Sequence, residues 1–343
     1  MSVYLITGVA GFIGSSLAHA LVARGERVRG IDNFATGKRS NIEALLGCID
    51  FREVDLGNAA GIQDACEGVD YVLHHAAIAS VPRSIESPEY SHAVNVNGTL
   101  NVLQAARKAG VKRLVYAASS SAYGNQPGQP RVETMRPMPL SPYAVQKLTG
   151  EYYLSSYYEV YGLEAVSLRY FNIFGPRQDP SSPYSGVLAR FILQMLAGER
   201  PTIFGDGEQA RDFTYISNVV SANLLACAAP AEKVAGKMFN IGCGEQVTLN
   251  RTYQLLADLT GFREPANYGP PRAGDVLASL SDNSAAREAF GYASKVKCEE
   301  GLAETVAWYR DQFARCGGPK PVEQLEQQVP EAAVHSEVGI SWG

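Results

Sequence analysis

A chain of 343 residues with 46% apolar and 19% charged side chains can bury one large core or two smaller ones. Thirty basic against 35 acidic residues leave a formal charge of −5 without a basic block, which argues against nucleic acid or an anionic membrane as the main partner. The six cysteines, at 48, 66, 227, 243, 298 and 316, are scattered and form no C-x-x-C, so neither a disulfide framework nor a metal site is expected, and free thiols in a reducing cytoplasm fit the pattern.

The opening stretch MSVYLITGVAGFIGSSL lacks the basic start and cleavage pattern of a secretion signal, and no apolar run is long enough to span a bilayer. It reads instead as a strand, VYLIT (3–7), feeding a helix that Gly25 closes. Further β-rich runs follow at RVRGI (27–31), FREV (51–54), YVLHH (71–75), RLVYAA (113–118) and EAVSLRY (164–170), with a long helical stretch at 89–109. Apolar strands alternating with helices predict an α/β fold with a doubly wound parallel sheet covered on both faces.

After Arg169 the rhythm changes. Residues 172–208 are rich in Gly, Pro and Ser around one apolar helical pattern at 186–197. DFTYI and the helix NVVSANLLACAA (218–229) read as a return to the sheet, and 237–315 mixes short strands with helices. The expected organisation is a dinucleotide-binding domain of residues 1–171 plus about 209–236, and a smaller mixed α/β substrate-binding lobe of 172–208 plus 237–316. Residues 317–343 read as a peripheral tail with few apolar anchors.

Four groups of residues point to chemistry. TGVAGFIG (7–14) carries Gly8, Gly11 and Gly14 between the first strand and first helix, where a backbone turns tightly and approaches a pyrophosphate; a merely glycine-rich helix start is the alternative. Asp32 ends the second strand, where a carboxylate grips ribose hydroxyls and repels the extra phosphate of NADP, so NAD is favoured. Lys38 and Arg39 nearby soften that preference, and Asp55 is an adenine-side candidate. AASSSAYG (117–124) places three hydroxyls at a carboxyl-terminal strand end, as a ligand contact or as a polar turn.

The fourth group is SPYAVQK (141–147). Ser141 and Pro142 start a helix on which Tyr143 and Lys147, four residues apart, share a face. A nearby ammonium and the positive helix end both favour phenolate, so Tyr143 is expected to be acidified into a base, with Ser119 relaying its proton.

In this order the motifs resemble the extended short-chain dehydrogenase/reductases, and within them the nucleotide-sugar 4-epimerases. The resemblance also rests on IDNF, HHAA (74–77), LRYFNIFGPR (168–177), GDGEQARDFTYI (205–216) and RAGD (272–275), and spans residues 1 to roughly 315. It implies Tyr143 as the base, Lys147 on the nicotinamide ribose and Ser119 assisting. It further implies that Phe12, Ile13, Asp32, Asn33, Asp55, Leu56 and Ala76 surround NAD, and that Asn172, Arg211 and Arg272 hold a UDP diphosphate, with Asp275 on its ribose. The implied reaction oxidises the sugar at C4 and reduces it again from the other face.

Ser279, four residues after Asp275, lies where such epimerases line the hexose pocket, and a serine leaves room for a 2-acetamido group. Ser80, Ser120 and Ser121 join it as substrate-side candidates, although small residues also describe a roomy, promiscuous pocket. The expected substrates are therefore UDP-GlcNAc and UDP-GalNAc as well as UDP-glucose and UDP-galactose. A UDP-glucuronate 4-epimerase, with Arg177 or Arg83 meeting the sugar carboxylate, stays open; so, further off, do a dehydratase or decarboxylase and a non-catalytic NAD-binding protein. A homodimer paired through helices near 89–109 and 142–161 is expected by the same analogy.

Overall fold

The computed structural model describes residues 1–179, 186–271 and 278–315. Its centre is a seven-stranded, wholly parallel sheet. The strands in chain order are β1 (Val3–Thr7), β2 (Arg27–Asp32), β3 (Asp50–Glu53), β4 (Tyr71–His74), β5 (Arg113–Ser119), β6 (Glu164–Tyr170) and a seventh, Met238–Ile241. Across the sheet they run β3, β2, β1, β4, β5, β6 and the seventh. The strand order reverses between β1 and β4, and that switch point opens a crevice at the carboxyl ends of the strands.

Six helices belong to the first half: α1 (Phe12–Ala23), α2 (Ala59–Cys66), α3 (Val81–Glu86), α4 (Pro88–His92), α5 (Gly98–Lys108) and α6 (Pro142–Tyr161). One face of the sheet packs α2, α5 and α6 through Val72, Val102, Leu114 and Leu154. The other packs α1 and the helix Ile216–Ala228 through Ile6, Leu17, Val115 and Val219. Alternate residues of β5 thus serve opposite cores, as a strand covered on both faces requires.

Met238–Ile241, which the sequence reading assigns to the smaller lobe, pairs with β6 from Ser167 to Tyr170 and completes the sheet. The second lobe is built from short pieces. Thr202–Phe204 pairs with Asn267–Gly269, Ala210–Arg211 pairs with Val247–Thr248, and the helices Val187–Leu196 and Leu249–Thr260 lie against each other. The expected helix over 89–109 is interrupted by one wide turn, Ala93–Asn97. That turn presents Asn95, 1% exposed, to the loop after β4, where it accepts from Ile78 N and donates to Ile78 O.

No helix among the described residues is long and apolar enough to cross a membrane. The tail from 316 onward lies outside the described residues.

Candidate active site

Gly8, Gly11 and Gly14 form a cradle in which side chains do not fit. Gly8 has φ +70°, and a Cβ on it would meet the Ala76 backbone at 2.8 Å. A Cβ on Gly14 would lie 2.1 Å from the Gly8 carbonyl, so the helix rests directly on the loop. Gly11 is the N-cap of α1 and supplies no side-chain cap, leaving the first-turn amides of Phe12 and Ile13 for an anion. Thr7 Oγ1 fixes the opposite wall by accepting from His75 N and Ala76 N, both at 3.1 Å.

Asp32, 8% exposed at the end of β2, accepts from Ala10 N at 2.9 Å and Phe34 N at 2.8 Å, which ties the glycine loop to the second strand. Burial pushes its carboxyl above the ordinary range, against the pull of those amides. Asn33 donates to Asp55 Oδ2, joining the ends of β2 and β3, and Leu56 packs beneath them. Lys38 is paired with Asp179 at 2.7 Å.

Ser119 ends β5 and receives the Ser121 hydroxyl at 2.8 Å, so Ser119, Ser120 and Ser121 form one tight turn. The helix α6 begins opposite, capped by Ser141 Oγ, which accepts from Ala144 N at 3.2 Å. Tyr143 N donates to Ser84 Oγ at 3.1 Å, which docks α3 against this end. Ser80 is the N-cap of α3 and accepts from Arg83 N at 3.2 Å. Ser119 is the side chain that lowers the Tyr143 phenol against the effect of burial. Lys147, 4% exposed, donates to Ala117 O at 2.9 Å and sits 4.8 Å over the Tyr116 ring.

Burial pushes the Tyr143 phenol above its ordinary value, and the group that pulls it back is Ser119. The Lys147 ammonium is held by the Ala117 carbonyl and the Tyr116 face, and burial draws it down to about 8.

Asn172, in the rare left-handed backbone range at φ 25°, donates to Asp212 O and to Ser279 Oγ, both at 3.1 Å. Ser279 is thereby placed beside Asn172 and the strand Ala210–Arg211, whose Ala210 O accepts from its amide. Arg211 and Asn172 line a cavity of about 280 Å³ with Val187, Phe204, Gln209 and Phe213. Phe204, Gln209 and Thr202 are not named as site residues in the sequence reading, although Gln209 falls within its motif GDGEQARDFTYI; the turn GDGEQ between two short strands is the signal that marks them. Arg272 and Asp275 lie outside the described residues. Arg177 bonds Ser16 of α1 at 3.1 Å, and Arg83 lies over the Tyr90 ring.

Comparison with known proteins agrees with this geometry. A UDP-glucose 4-epimerase of Mycolicibacterium smegmatis is 38% identical over 311 residues, covering 90% of this chain and 98% of that protein. The solved UDP-glucose 4-epimerase of Thermotoga maritima with UDP-glucose has TM-score 0.86 at 39% identity, over 90% of this chain and 99% of that one. The UDP-N-acetylglucosamine 4-epimerase of Methanobrevibacter ruminantium in complex with UDP-N-acetylmuramic acid has TM-score 0.86 at 37% identity, over 91% and 99%. The family uses NAD, and the side-chain-free cradle at Gly8 and Gly14 beside the Asp32 carboxylate fits it. With a family model matched over residues 4–242, the chain belongs to the NAD dependent epimerase/dehydratase family.

Proposed function

We propose that the protein is an NAD-dependent 4-epimerase of UDP-hexoses that accepts both plain and 2-acetamido sugars. The observation that carries this reading is the meeting of Ser119, Tyr143 and Lys147 at the carboxyl end of β5, beside the dinucleotide cradle. The cradle and Asp32 hold the cofactor, with Lys147 on its nicotinamide ribose. NAD, when bound, supplies reversible acceptance of the hydride from the sugar C4.

The chain's own residues do the rest. Tyr143 takes the proton of the 4-hydroxyl as the C4–H bond breaks, then returns it to the keto oxygen after the sugar has presented its other face. Ser119, the group that lowers the Tyr143 phenol, steadies the ionised oxygen. The cavity between Val187, Phe204 and Gln209 accepts the uridine, and Arg211 with Arg272 clamps the diphosphate. One end is gripped by guanidinium groups, while the hexose faces small hydroxyls and is free to turn. Arg83 lies over the Tyr90 ring and Arg177 donates to Ser16 while its Nε is buried without a partner, so these contacts do not separate a neutral hexose from a glucuronate, and the test below does. Ser120 and Ser121 stand where elimination would need a carboxylate pair. Exposed Val145, Tyr152 and Val160 along α6 support a homodimer through that helix.

The test is incubation of the purified protein with UDP-glucose, UDP-N-acetylglucosamine and UDP-glucuronate separately, followed by proton NMR and mass spectrometry. Interconversion at C4 of the first two without mass change is expected, and Tyr143→Phe abolishes it. Loss of water or carbon dioxide from any of the three, or turnover of UDP-glucuronate alone, overturns the reading.

A further inference from the structure

On α6, positions 143, 147 and 151 recur every four residues, so Tyr143, Lys147 and Glu151 run in one line along the helix. The first two belong to the site described above, and the third has no part in it. Glu151 is 6% exposed, and its two oxygens accept from Nε and Nη2 of Arg169 at 2.8 and 2.6 Å. Arg169, on β6 and 1% exposed, lies over the Tyr123 ring at 4.6 Å. Tyr123 in turn donates to Asn240 at 2.7 Å. Tyr116 of β5 fits beneath α6 because position 150 is glycine; a Cβ there would lie 2.4 Å from its hydroxyl.

A buried Arg–Glu pair adds little stability over apolar residues of the same shape. Its place one turn below Lys147 gives it a different use. The groups facing Glu151 are Lys147 on its own helix, Tyr116 on β5 and Arg169 on β6, while Tyr123 and Glu133 face Arg169; Lys147 itself is also faced by His74 and His75 at the end of β4 and by the Tyr116 ring. An ammonium taken out of water tends to shed its proton. Burial has that effect on Lys147, and Glu151 is the charge that opposes it. Glu151 is itself buried, which raises its carboxyl above the usual range, and the Arg169 hydrogen bonds and charge pull it back.

We propose that Glu151, fixed by Arg169, is a positioning residue for Lys147 that keeps this buried side chain in its ammonium form at the head of the catalytic line. The proposal rests on the assignment of Tyr143 and Lys147 as the catalytic pair under the proposed function. It commits Glu151 to an electrostatic task in addition to its place in the core.

The experiment uses the full chain with lysine labelled by carbon-13 at Cε, and the Lys147 resonance assigned by its disappearance in Lys147→Met. Its titration is followed by NMR in the wild type, in Glu151→Gln and in the double variant Glu151→Gln/Arg169→Met. In both variants the midpoint is expected to fall by about one pH unit or more. The alkaline limb of kcat for UDP-sugar interconversion moves down with it. The double variant also removes the guanidinium left unpaired in the single one, so it stays informative where Glu151→Gln alone misfolds. A folded double variant with the wild-type midpoint overturns the proposal, as does a shifted midpoint with an unmoved kcat profile. A wild type that interconverts no UDP-sugar refutes the proposed function instead, and the titration still decides whether Glu151 governs Lys147.

Discussion

His75 joins the crevice wall to the core. Its Nε2 meets the Tyr170 hydroxyl at 3.1 Å, while Nδ1 is buried without a hydrogen-bond partner. Burial lowers its pKa from 6.5 to about 3, and His74, held between Thr7 and Thr99, is lowered as well. Between those limits the unfolded chain binds more protons than the folded one, so the contribution of His75 is complete above pH 6.5 and is lost as the pH falls towards 3. His75→Gln is therefore expected to lose less of its urea midpoint than the wild type between about pH 7 and about pH 5. Equal losses in the two proteins would contradict this. At the scale of residues, the sequence makes the identity of Tyr143, Lys147, Ser119 and Asp32 legible, but not their surroundings. That Lys147 bonds a carbonyl of β5 depends on how α6 crosses the sheet, and spacing within α6 carries no information about that crossing.

Among the elements, the junction of β1 and α1 leaves no room for a side chain at Gly8 or Gly14. Gly14→Ala would drive a methyl into the Gly8 carbonyl and lift the helix off the loop. The expected result is NAD affinity weakened by about tenfold or more, measured by calorimetry on the cofactor-stripped protein. Gly47→Ala, whose Cβ would meet nothing within 4 Å, is the control and should bind NAD as the wild type does. Wild-type affinity in Gly14→Ala would show that the cradle is not the binding surface. Strands β1 to β6 are legible because apolar, β-rich runs bounded by turn residues recur with helices between them. Met238–Ile241 is not: four residues in a mixed region give no pattern that separates a sheet edge from a lobe strand. The wide turn at Ala93–Asn97 escapes for another reason, since a helical period is preserved on both sides of it.

At the scale of the whole molecule, the sheet order follows from alternation and handedness, whereas the cavity of about 280 Å³ gathers segments around 172, 187, 204, 211 and 249 that no local pattern links. The outer surface of α6 carries Tyr152 at 62% and Val160 at 66% exposure. A Tyr152→Glu/Val160→Glu variant is expected to elute from size exclusion at the mass of one chain and the wild type at twice that mass. Elution of both at the same volume would contradict a homodimer through α6.

The bond between Asn172 and Ser279 joins positions 107 apart in the chain, and the Tyr309 hydroxyl fastens Gln178 O from further still. During synthesis Ser119, Tyr143 and Lys147 leave the ribosome early, while the wall facing Asn172 emerges much later. A nascent chain halted between them holds those three side chains without the wall that closes the cavity beside Asn172.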